Sequence, residues 1–282
     1  MLCQRSTKTT AFIAVLALAG CGSSGSSGSI DVVPVFAGDA PITGADFISR
    51  TFPFPYIARN PDTDTLERKT GSIRVLSFNQ FELITDDVRE IITETTDGSY
   101  IGATINAESF FFSPGIGAIN AQDAFITYSG LFGFETPASQ LPGDVVVTYT
   151  APTGARLFTR GFLVENPDVA FPTDMVGDVE LSVDFETGAV AGSLFTSDAA
   201  RVDIREGTVS ENGISGDLEF FLILGGLPFS FEESSGDVTG HFYGPAASGL
   251  AGTFEGSSGN SGVAPSTEFV GTFVGLEAPA PD

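Results

Sequence analysis

Val238-Thr239-Gly240-His241-Phe242, Leu250-Ala251-Gly252-Thr253-Phe254 and Phe269-Val270-Gly271-Thr272-Phe273 share one form. Each reads apolar, x, Gly, x, Phe, and in an extended chain those apolar and glycine positions fall on one face. Glycine inside a strand is costly, because it packs nothing and holds a loose backbone. Its recurrence at matching places predicts strands that curve tightly, with phenylalanine rings laid over the bare backbone. A small closed barrel has that requirement, and its interior is filled by side chains.

The segments upstream extend the pattern. Val179, Leu181, Val183 and Phe185 alternate with Glu180, Ser182, Asp184 and Glu186, one apolar face against one wet face. Thr187-Gly188 turns the chain into 189–195. Val202 and Ile204 then alternate with Arg201, Asp203 and Arg205, Glu211-Asn212-Gly213 turns it again, and Leu218, Phe220 and Leu222 follow. Short strands with close, evenly spaced turns indicate an antiparallel barrel. The expectation is an all-β chain with a small, soluble, eight-stranded antiparallel barrel over 121–277, in which Val183, Phe185, Phe242, Phe254 and Phe273 face inward, followed by a tail at 278–282. A membrane-spanning barrel would place Glu180, Asp184, Asp203, Arg205 and Glu219 against lipid, which is strongly destabilising.

Residues 31–120 are β-rich but less regular. Strands are expected at 73–78, 81–85, 90–95, 100–106 and 108–112, and Thr96-Asp97-Gly98 reads as a hairpin turn. Phe52-Pro53-Phe54-Pro55-Tyr56 reads as lying outside any central strand, since proline removes ladder donors; it is either an exposed aromatic stretch or one that packs over the barrel end. The region as a whole is expected to be a small handle-like domain.

At the N-terminus, Arg5 and Lys8 precede the uncharged apolar run 11–19. That run is shorter than the roughly 20 residues needed to cross a bilayer and has the length of a signal-peptide core. Leu18-Ala19-Gly20-Cys21 follows and resembles the lipobox of bacterial lipoproteins. The resemblance implies a signal peptide over 1–20, lipid attachment at Cys21, and sorting to the outer membrane, since Gly22 rather than aspartate follows the cysteine. Residues 21–30 continue with only glycine and serine from Gly22 to Ser29. Such a stretch is expected to be a tether with a reach of about 15 Å.

Removal of 1–20 leaves about 260 residues and takes two of the 12 basic residues but none of the 36 acidic ones, moving the net charge from −24 to −26. Phosphate recognition needs clustered Lys and Arg, so DNA and RNA are not expected as partners. Of the two cysteines, Cys3 leaves with the signal and Cys21 takes lipid, so no disulfide, thiol nucleophile or thiolate metal site is expected. His241 is the only histidine. It lies on the face opposite Phe242 and is expected to be a wet surface residue; without it no Ser-His-Asp triad is possible, and the several His or Cys that zinc sites usually need are missing. Tyr56, Tyr100, Tyr128, Tyr149 and Tyr243 are of the type that ligates haem iron, but strand packing is the simpler role for each. Asp62, Asp64 and Glu67 lack the glycine and spacing of a calcium loop. No cofactor, metal site or catalytic residue is expected, and the chain does not read as an enzyme.

Gly240-His241-Phe242-Tyr243-Gly244-Pro245-Ala246-Ala247, followed by Gly252-Thr253-Phe254, resembles the signature of the transferrin-binding protein B β-barrel domain. Residues 134–142 and Thr148-Tyr149-Thr150 resemble the entry into such barrels, and 269–275 the closing strand. In that family each lobe has a handle and a barrel, and this chain has room for one lobe. The resemblance implies a surface-exposed outer-membrane lipoprotein that binds a protein or an iron-related solute, reaching the cell surface with a dedicated export partner. The alternatives are a surface-coat lipoprotein without a specific ligand, and a haem-carrier-like protein. With so few inward polar groups in the barrel, any ligand is expected to bind outside the lumen.

Overall fold

A computed structural model describes residues 42–279, except 61, 64, 87, 96–99, 103–105, 114, 123–125, 161–172, 232 and 261–262. After the short helix α1 (Gly44–Phe47) come β1 (Thr51–Asn60), β2 (Thr65–Ser77), β3 (Gln80–Ile84), β4 (Arg89–Glu94), β5 (Tyr100–Ile101), β6 (Asn106–Ser113), β7 (Ile116–Gln122) and β8 (Thr127–Gly133). These eight strands form a closed antiparallel barrel in chain order, sealed where β1 pairs with β8. A 3-10 turn at Ala138–Gln140 leads to β9 (Val146–Arg160), β10 (Asp174–Asp184), β11 (Ala189–Thr196), β12 (Ala200–Ser210), β13 (Gly213–Leu224), β14 (Leu227–Ser230), β15 (Glu233–Tyr243), β16 (Gly249–Asn260) and β17 (Val263–Glu277). This second sheet runs β12-β11-β10-β9-β17-β16-β15-β13-β14, and an additional β12–β13 pairing joins its two flanks. Eight strands therefore form a second continuous ring, with β14 appended to β13.

The recurring glycines do what their spacing predicts. Phe273 of β17 stands directly across from Gly252 of β16, and Phe254 of β16 across from Gly271 of β17. A methyl group added at Gly252 would lie 2.9 Å from the Phe273 ring and closer still to the Thr239 carbonyl. Each ring thus occupies the space its partner leaves empty, in both directions across one ladder. Phe242, Phe254 and Phe273 are fully buried in the C-terminal core with Val183, and Phe185 packs against that core half-buried. Tyr149 crosses the same core, and its hydroxyl donates to the Ala247 carbonyl at 2.7 Å. The outward side of these strands carries Glu180, Asp184, Asp203, Arg205 and Glu219, all partly or fully exposed.

The N-terminal half is β-rich, as expected, and forms a ring with a core of its own. Phe47, Phe52, Phe54, Tyr56, Phe81, Tyr128 and Phe132 are fully buried in its core. The Phe54 and Tyr56 rings stack at 5.4 Å, and Phe47 from α1 meets Phe134 edge-on at 4.9 Å. Of the two readings of Phe52–Tyr56, the exposed one is therefore overturned, and the expectation that the stretch lies outside a strand is corrected: the aromatic side chains are buried on β1. β1 pairs with β2 along its whole length but meets β8 only from Tyr56 to Arg59. Pro53 and Pro55 lie in the half flanked by one strand, where a missing donor is tolerated. The alternating aromatic residues then turn inward together.

Burial pushes the Tyr149 and Tyr243 phenols above their usual range, with the carboxylates of Glu277 and Glu135 adding to the effect. A group whose folded pKa is raised contributes stability that is complete below its unfolded value, about 10 for tyrosine, and lost as pH rises through the folded one. Stability is therefore expected to hold to about pH 10 and to fall beyond it by up to about 1.4 kcal/mol per pH unit for each phenol. Urea melts across the alkaline range, compared with Tyr243→Phe, check this: the variant should show the shallower fall.

Candidate binding surface

Both barrel interiors are occupied by side chains, so the surface is built from the outer faces, the seam between the rings and the loop ends. The seam is formed by the outer faces of β1, β2, β7 and β8 against those of β9 and β15 to β17. Ile116, Ala118 and Leu131 pack on Tyr243, Ala251 and Val274, and Ile57 packs on Phe158 and Val270. The segment after β8 ties the seam. Phe134 N–H donates to the Gly115 carbonyl, Gly244 N–H to the Phe134 carbonyl, and Thr136 N–H to the Phe242 carbonyl, at 2.8–3.0 Å. The buried Thr136 hydroxyl donates to the Gly244 carbonyl at 2.6 Å. The stretch Phe242-Tyr243-Gly244 thus anchors one ring on the other, a role that its spacing in the sequence does not reveal. Both rings belong to one compact unit, residues 31–282.

Arg68, on β2, crosses the seam. Its Nε and Nη2 donate to the Thr253 hydroxyl at 3.0 and 2.8 Å, and Nη1 lies 2.9 Å from Glu255 and 3.5 Å from Asp237. A groove of about 420 Å³ opens beside it, lined by Leu66, Ser235, Asp237, Glu255, Glu268 and Phe269 among others. Its carboxylates already face cations: Asp237 and Glu255 hold Arg68, and Glu268 pairs with Arg160. The groove therefore reads as a closed electrostatic seam. Among the described residues no group of three or more His, Cys, Asp or Glu side chains is placed to hold a metal ion.

His241 sits opposite the buried Phe242, as alternation predicts, with its side chain 42 % exposed. Its Nδ1 is 3.8 Å from Glu135 Oε2, which accepts a 2.7 Å bond from the Asn212 amide. No nucleophile in the described contacts joins this group. Tyr56, Tyr128, Tyr149 and Tyr243 are all buried, with rings in or against the cores. Asp62 lies in a turn where its N–H donates to the Asn60 side chain, and Glu67 pairs with Lys69. Asp64 and Cys21 lie outside the described residues, as do residues 1–30 generally.

The feature that the sequence reading missed is β14. Gly225 and Gly226, at φ 62° and 81°, make a two-residue turn after β13, and all four β14 residues are exposed. Leu227 is 72 % and Phe229 49 % exposed, the former the most exposed large apolar side chain described. Paired glycines between two apolar runs are a hairpin signal, present in the sequence at Leu224-Gly225-Gly226-Leu227.

The sequence matches the family model of the C-lobe and N-lobe β-barrels of transferrin-binding protein B over residues 142–274. No curated protein matches it. Among solved structures, a double mutant of transferrin-binding protein B from Haemophilus parasuis superposes with a TM-score of 0.50 at 14% identity, covering 81% of this chain and 45% of that one. The isotype 1 protein from serogroup B Neisseria meningitidis gives 0.45 at 14% identity, covering 80% and 43%. The chain spans less than half the length of these proteins, and at 14% identity the likeness to the Haemophilus parasuis protein is one of fold.

Proposed function

We propose, from the premise that residues 142–274 form a β-barrel domain of the transferrin-binding protein B type, that the protein is a lipid-anchored binding lobe at the outer surface of the outer membrane. The observation that carries this reading is the match of that barrel to the family model. Two further features support it. Both lumens are filled, so the barrels are scaffolds, and the rings are joined by an apolar seam that holds their outer surfaces in fixed relation. The lipobox ending at Cys21 supplies the anchor and residues 21–30 the tether. The ligand is a protein or an iron-related solute taken up on the outside, without catalysis.

The test is a pull-down with the soluble mature domain, starting at Gly22 so that the lipid-bearing Cys21 is left out, from growth medium and host serum, scored for captured protein and for haem absorbance. A saturable protein or haem-containing species is expected. Recovery of neither, at protein concentrations well above those of ordinary receptor affinities, would leave a surface coat as the function.

A further inference from the structure

We propose that the β13–β14 hairpin is a docking lip for a protein partner that presents an apolar patch ringed by lysine and arginine. The proposal rests on the binding-lobe reading above and specifies where and what such a lobe would bind. The lip is exposed yet anchored. Phe229 meets Phe231 edge-on at 5.9 Å, Phe231 lies 6.1 Å from Phe220, and Phe220 stacks on Phe269 at 5.1 Å inside the barrel. A line of rings therefore runs from the surface into the core, which leaves little ordering cost to be met on binding. Exposed aromatic and aliphatic anchors of this kind carry a large share of interface affinity.

Backbone pairing is disfavoured. Leu224 and Leu227 flank the two-residue turn and Leu222 lies across from Phe229, so these pairs exchange both backbone bonds and the N–H positions of Pro228 and Ser230 face the free flank. Proline supplies no donor there, which blunts the edge of this four-residue strand against an added one. Contact falls mainly to the Leu227 and Phe229 side chains. Charge selects the occupant. The chain carries 36 acidic against 12 basic residues. Exposed Asp198 lies in the loop whose Ala199 carbonyl accepts the Ile223 N–H, and exposed Glu233 opens β15 just after the lip. A second copy or an anionic lipid surface would bring like charge against like, whereas a basic protein face is attracted.

Three matched synthetic peptides serve as probes: one of leucine and lysine, one with glutamate for lysine, and one with serine for leucine. Calorimetry with the mature chain should show the leucine–lysine peptide binding at least about tenfold more tightly than either control. Leu227→Ser with Phe229→Ser should weaken it by about tenfold or more at an unchanged melting temperature. Leu227→Met with Phe229→Tyr, which keeps the apolar bulk, should bind within about threefold of the parent. Equal affinity of parent and serine variant would overturn the proposal, since cations would then be gathering on the acidic surface at large. A dimer seen by sedimentation that the serine variant abolishes would overturn it in favour of a second copy. If a partner recovered in the pull-down is retained by the serine variant, the lobe reading stands and this lip falls. If the peptides bind as expected while the pull-down recovers nothing, the lip stands and the lobe reading falls.

Discussion

Phe254→Ala is expected to destabilise the C-terminal barrel by about 3–5 kcal/mol, the range for removing a buried phenylalanine. The ring is fully buried, covers Gly271 across the β16–β17 ladder and faces Val238 on β15. Truncation therefore opens a cavity and also uncovers a glycine that has no side chain of its own to fill it. The neighbouring positions offer little relief, because Gly240 and Gly252 are already covered by Phe273. Urea unfolding at neutral pH reads the loss as a lowered midpoint with an unchanged slope. A loss below about 1 kcal/mol, well short of the range for a buried ring, would mean that Phe254 does not face the core.

The second large effect is on location. Cys21→Ser is expected to abolish acylation, leaving the chain unprocessed or free of the membrane. An acyl chain contributes about 0.8 kcal/mol of membrane affinity per buried methylene, and stable anchoring takes more than one chain. No helix among the described residues is long and apolar enough to cross a membrane, and the strongly acidic body is not drawn to anionic headgroups. Metabolic labelling with a palmitate analogue, followed by fractionation, reads both consequences. Unchanged labelling of the variant would remove Cys21 as the anchor, whereas an unlabelled, unprocessed precursor held to membranes by its apolar signal is an expected result.

Much of the C-terminal ring was legible because its strands alternate strictly. Val179 to Glu186 separates its two faces residue by residue, and the Gly-x-Phe repeats specify curvature as well as burial. The N-terminal ring was harder to read for a local reason. In Phe52-Pro53-Phe54-Pro55-Tyr56 the period of two is intact, but proline at alternate positions argues against a strand unless one flank is unpaired, and that condition is set by where the pairing of β8 with β1 stops, at Gly130. The joint was hidden differently. Thr136, Glu135 and the Phe242-Tyr243-Gly244 stretch are about 100 residues apart in the chain, and their contacts depend on how two rings meet. Of the candidate surface, Leu227 and Phe229 were within reach of the Gly225-Gly226 turn signal, whereas Arg68 carries no local mark of its partners on β16.

The N-terminal ring and its seam also change what a truncation would show. Deleting residues 31–120 would uncover Tyr243, Phe158, Val270 and Val274, which now pack in clusters with Ile116, Ala118 and Ile57. Loss of binding after such a deletion would mix lost contact with lost folding, so single exposed residues are the better probes of recognition.

Whole-cell protease shaving, with a periplasmic protein followed in the same samples, tests the proposed surface lobe most directly. A surface location predicts that the protein is lost from intact cells while the periplasmic marker survives. Protection in intact cells, with digestion only after the outer membrane is permeabilised, would contradict it and place the protein in the periplasm.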